Sequence, residues 1–177
     1  MSKNIIGGII TVVLGGTAFT LSQADIVDHF SEETGMNRQE ATQYVESAQN
    51  QLGSFSDIGS SFIEDGGYAT STAQSLDCTN YTYEWESPGL SCAQGKLQLQ
   101  TVGINEVVLG NCYKALDTDL GDKARAKIRE CIRDIDALNA NYDLPVVTEL
   151  LDGNAVAELR NTNIYNKSAL QASLEQN

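Results

Sequence analysis

Hydrophobic positions are distributed along this chain in three different ways, and each predicts a different structure. From Ile5 to Leu21 there are 17 consecutive uncharged, weakly polar or apolar residues, diluted by Gly7, Gly8, Gly15, Gly16 and three threonines. As a helix this run would be ~25 Å long, against ~30 Å of bilayer hydrocarbon. Over 22–52 the apolar residues recur at helical spacing. Ile26, Val27 and Phe30 mark a first helix, and Ala41, Tyr44, Val45, Ala48 and Leu52 mark a second. "TGMNRQEA" separates the two. Gly35 suits the left-handed position after a helix, Asn37 suits an N-cap, and Glu40 stands where a capping box needs its acid.

Region 53–95 has no sustained period. Its glycines and serines predict turns and irregular structure, up to "CTNYTYEWESPGLSC". There Tyr81, Tyr83 and Trp85 alternate with Thr82 and Glu84, as in a strand with one aromatic face. From 96 on the pattern is helical again. Leu97, Thr101, Ile104, Val108, Cys112 and Leu116 read as one apolar seam. Ala124, Ile128, Cys131, Ile132, Ile135 and Leu138 form the most amphipathic stretch of the chain, with Asp122 as its expected cap. The turn near residue 120 predicts that these two helices fold back as an antiparallel hairpin. Pro145 starts a further helix that Gly153 is expected to stop, and 154–177 reads as a polar, frayed tail. The expected fold is therefore mainly α: an N-terminal hydrophobic helix, then a small helical domain with an antiparallel helical hairpin and a short disulfide-closed loop or β-hairpin.

The opening run bears on location. Lys3 precedes it, and Ser22-Gln23-Ala24 follows with small residues at the positions a signal peptidase reads, so cleavage after Ala24 is expected. Residues 1–24 then form a signal peptide and 25–177 a single exported domain. The competing expectation is an uncleaved signal anchor, with 5–21 kept as a transmembrane helix and the acidic side chains from Asp25 onward outside.

Four cysteines, Cys78, Cys92, Cys112 and Cys131, all lie beyond that segment, and no C-x-x-C occurs. An even count in an exported chain predicts two disulfides, with three connectivities open to four cysteines; the pairing Cys78–Cys92 and Cys112–Cys131 is favoured because each closes a short local loop. With Lys3 removed, 10 basic face 24 acidic side chains, a net charge of −14. Such a chain is repelled by phosphate backbones, which argues against nucleic-acid binding.

No sequence signature of a reaction is present. His29 is the single histidine, and no nucleophile motif accompanies it. "DTDLGDKARAKI" approaches a calcium loop, but Ile128 occupies the twelfth position, where a bidentate acid is needed. Neither a metal nor a cofactor is expected. Two features suggest contact with another protein: the aromatic segment Tyr81, Tyr83 and Trp85, and a row of like charges at i, i+4, i+8, Arg125, Arg129 and Arg133. The functional expectation is an exported, non-enzymatic protein acting by protein–protein contact, with a protein partner or by self-association, in a cell envelope or extracellular assembly. The alternatives are a membrane-anchored structural subunit of an envelope or virion complex, with 5–21 retained, and a secreted hydrolase with an unrecognised acidic site.

Overall fold

The computed structural model describes residues 9–14, 17–51, 55–78, 92–118 and 121–175. Its helices begin where local chemistry says they should. The side-chain oxygen of Asn37 accepts hydrogen bonds from the backbone N–H groups of Gln39 and Glu40, both at 3.0 Å. Glu40 accepts from the Asn37 N–H in return, at 3.2 Å, which completes a capping box. Gly35 has φ 70°, and its N–H donates to Ser31 O at 2.9 Å. That corner separates α1, Gln23–Thr34, from α2, Arg38–Gln51.

Region 53–95 departs from expectation. Phe55–Ser75 is one 21-residue helix, α3, rather than turns. It pairs with α4, Cys92–Thr118, so closely that glycine is required at the contact. A Cβ on Gly66 would stand 2.6 Å from Gly103 O, and one on Gly110 would stand 2.8 Å from Gly59 O. Gly59 therefore meets Gly110 while Gly66 meets Gly103, so the two helices run antiparallel. Glycines that read locally as breakers are here the surface along which two backbones touch, and tertiary packing overrides propensity. The seam expected on α4 shifts accordingly: Leu109, Cys112, Tyr113 and Leu116 are buried, whereas Ile104 is exposed.

Next comes α5, Asp122–Asn141, which buries Ala124, Ile128, Cys131, Ile135 and Leu138 as its pattern predicts. Gly121, at φ 56°, holds the N-cap position expected of Asp122, which is instead the first helical residue. Then α6, Pro145–Leu150, opens on its proline. Gly153 does not end it but begins α7, Gly153–Glu175. The expected polar tail is thus a long helix with Ala169, Leu170 and Ala172 buried in the core beside Asn163, Asn166, Ser168 and Ser173. Some of its polar side chains bond within the helix: Ser168 donates to Ile164 O at 2.7 Å, and Asn166 to Thr162 O at 2.9 Å, while Asn163 Oδ1 and Gln171 Oε1 have no partner among the described residues.

Nor is the expected N-terminal helix formed. Ile9–Leu14 and Thr17–Ser22 are strands β1 and β2, paired antiparallel from Ile9↔Ser22 to Leu14↔Thr17. Five of the six residues in β1 are β-branched, a composition that favours a pleated strand over a helix. Residues 9–14 and 17–22 thus differ from the helix expected over 5–21, and among the described residues no helix is long and apolar enough to cross a membrane.

The main core joins α1, α2, α5 and the second half of α7 to the α3–α4 hairpin, around Phe30, Val45, Leu109, Leu116, Ile128 and Ile135. A smaller one gathers Tyr142, Val147 and Leu151 against Leu97, Val156 and Leu159. Helices dominate the molecule, as the apolar periodicity predicted.

Candidate functional site

Both expected cysteine pairs are formed, with Cα–Cα distances of 5.5 Å for Cys78–Cys92 and 5.6 Å for Cys112–Cys131. The first ties the end of α3 to the start of α4; the second staples α4 to α5. Tyr81, Tyr83 and Trp85 lie outside the described residues, on the segment that the first bridge closes. The arginine row is on α5. Arg129 and Arg133 are exposed, and Arg125 is half-buried with its Nη1 lacking a hydrogen-bond partner among the described residues.

No member of that row forms an ion pair among the described residues, while other cations do. Arg38 binds Asp28, Lys127 binds Glu130, Arg160 binds Asp143, and Lys167 bridges Glu33 at 3.1 Å and Asp136 at 2.8 Å. Arg133 acts only at a distance: Glu130 is held below the usual carboxylate range by the Lys127 hydrogen bond and charge first, then by Arg133. His29 faces Glu175 at 3.2 Å, which links the first helix to the last.

Sequence reasoning missed a cavity of about 390 Å³ between α2, α3 and α7. One wall is a single face of α2, with Tyr44, Ser47, Ala48 and Gln51 at i, i+3, i+4, i+7. A second is a single face of α7, with Glu158, Thr162, Tyr165 and Asn166 at i, i+4, i+7, i+8. Phe62 of α3 supplies the third. Each ring is held from behind. Tyr44 stacks on Phe30 with centroids 4.7 Å apart, and Phe62 leans on Tyr113 at 6.1 Å. Tyr113 donates its hydroxyl to Asn166, and burial pushes that hydroxyl's pKa well above the usual tyrosine value. Tyr165 is buried, which with Tyr44 beside it raises its pKa to about 12, so its hydroxyl stays neutral at physiological pH.

The α2 stripe containing Tyr44 was visible in the sequence, but only as a packing face. Phe62 and the α7 residues fell in regions that looked irregular, and the i, i+4, i+7, i+8 spacing on α7 was the available signal.

A second cavity of about 260 Å³ shares Phe62, Glu158 and Thr162 with the first and adds Glu106. The Glu106 carboxyl lies above its ordinary pKa, through burial and then through Asp65 on the facing helix. Beside this cavity, Asn163 donates to Asn105 at 2.7 Å and to Asn139 at 3.0 Å, and Tyr142 donates to Asn105 at 2.7 Å. This buried network fixes α4, α5 and α7 relative to one another. Among the described residues, no group of three or more histidine, cysteine or acidic side chains could hold a metal ion.

No protein-family model, no curated protein and no solved structure matches the chain.

Proposed function

We propose that this is an exported, non-enzymatic protein that works by binding another protein, with the arginine row of α5 as its contact. The observation that carries this is the alignment of Arg125, Arg129 and Arg133 on one helix with no carboxylate partner among the described residues, a state shared by Lys96 and by Lys123 of the same helix, whereas Arg38, Lys127, Arg160 and Lys167 each have one. In a chain of net charge −13, acids near the row could easily have been placed. The two disulfides support an oxidising compartment and hence export. An acidic surface is the complementary partner, and a second copy of this chain offers one. Residues 39–95 hold eight acidic side chains and no lysine or arginine.

Sedimentation of the wild type and of Arg129→Glu/Arg133→Glu at low and at moderate salt tests the contact. The expected outcome is self-association at low salt that weakens as salt rises and is lost in the double variant. Equal behaviour of the two proteins would remove the row from the reading. The hydrolase alternative would rest on Glu106 and Glu158 at the second cavity, but burial and Asp65 account for the raised Glu106 without any reaction.

A further inference from the structure

We infer that the cavity between α2, α3 and α7 binds a small organic cation, an ammonium or quaternary ammonium group held among Tyr44, Phe62 and Tyr165 with Glu158 at the edge. This goes beyond the protein-contact reading and uses none of its residues.

Three observations point to it. First, the cavity presents three aromatic rings, and the negative face of an aromatic ring attracts a cation that has lost part of its water. The volume, about 390 Å³, suits a small ligand rather than a lone water. Second, the rings are already positioned by the fold. Tyr44 is stacked on Phe30, Phe62 rests on Tyr113, and Tyr165 is buried, so little side-chain freedom is lost when a ligand enters. Third, the one charged residue among those lining the cavity is acidic, Glu158. Two of its walls come from a stretch, 39–95, without a single basic residue. The remaining wall, α7, has Arg160 engaged with Asp143 and Lys167 engaged with Glu33 and Asp136. Glu158 is exposed among the lining residues and carries no ion pair among the described residues. A neutral apolar ligand would use the rings but gain nothing from that field; a cation uses both. Hydroxyls from Ser47 and Thr162 add acceptors at the wall.

The decisive comparison is choline against 3,3-dimethyl-1-butanol, which has the same shape with carbon in place of the charged nitrogen. Binding is followed by chemical-shift changes in the full oxidised chain. Choline is expected to bind about tenfold more tightly than the neutral isostere. Glu158→Gln, an exposed change that leaves the fold intact, is expected to weaken choline about three- to tenfold and leave the isostere unaffected. Tyr44→Leu is expected to weaken both, choline more. To separate a free cation from an ammonium presented by a polypeptide, an acetylated lysine-amide is compared with a short peptide containing one central lysine. Tighter binding of the free amide assigns the cavity to small molecules. Equal binding of choline and its isostere, no shifts up to tens of millimolar choline, or peptide binding stronger than the free amide would each overturn the inference.

Discussion

Lys167 shows how a single side chain can hold three helices. It lies on α7 and reaches Glu33 on α1 and Asp136 on α5, with its own side chain only 12% exposed. Burial pulls its pKa down, but the hydrogen bonds and charges of Asp136 and Glu33 more than offset this, so the value stands above the ordinary 10.5. A lysine raised in the folded state contributes stability that is complete below its unfolded pKa and fades as pH rises through the folded one. Lys167→Met should therefore cost about 1–2 kcal/mol near neutral pH, the carboxylates being partly solvated. The cost should shrink above pH 10.5. Urea unfolding at pH 8 and pH 11 measures it, and the wild-type-minus-variant difference cancels the alkaline destabilisation from buried Tyr113, Tyr142 and Tyr165. A difference that grew with pH would contradict the clasp. At this scale much was legible. Gly35, Asn37 and Glu40 form the corner that their side-chain chemistry implies, because a capping box is closed by groups within four residues.

Among the elements, the α3–α4 pair shows where local reading stops. Gly66 and Gly67 are neighbours in sequence with opposite environments. A Cβ on Gly66 meets Gly103 O at 2.6 Å and the Val107 N at 2.9 Å, whereas one on Gly67 meets nothing within 4 Å among the described residues. Gly66→Ala should destabilise by about 2–3 kcal/mol through overpacking of two backbones. Gly67→Ala should stabilise by about 0.5–1 kcal/mol through reduced freedom of the unfolded chain. Thermal unfolding of the two variants is the test, and effects of the same sign would refute this packing. The same inversion explains α7. A helix whose buried face contains asparagine and serine reads as a tail, yet here Ser168 bonds a backbone carbonyl of its own helix and Asn163 joins the network around Asn105. The β1–β2 pairing replaces an expected helix for a related reason: β-branched residues leave the choice between helix and strand to the partner available.

For the molecule as a whole, the two disulfides tie α4 to its neighbours in sequence, at its start to the segment after α3 and further along to α5. Cys78–Cys92 closes a segment of separation 14, and Cys112–Cys131 one of 19. Each should contribute about 2–4 kcal/mol, chiefly by restricting the unfolded chain. Reduction should lower the urea midpoint substantially, and Cys112→Ser/Cys131→Ser should cost more than Cys78→Ser/Cys92→Ser, since Cys112 and Cys131 are both buried in the main core. A larger loss at Cys78–Cys92 would mean that the bridge near the segment end carries more than loop closure. Several large features were determined by the sequence alone: the helical class, the α1–α2 corner, the amphipathic face of α5 and the acidity; among three possible cysteine connectivities, loop length favoured the one that is formed. These depend on periods, caps and spacings that act over a few residues, or on summed charge. Tertiary structure alone decided that glycines in α3 and α4 would be contact surface, that a polar segment would become a core helix, and that Tyr44, Phe62 and Tyr165 would surround one cavity. Those outcomes depend on which surface each side chain meets, and residues more than a hundred positions apart acquire that surface only when the helices pack.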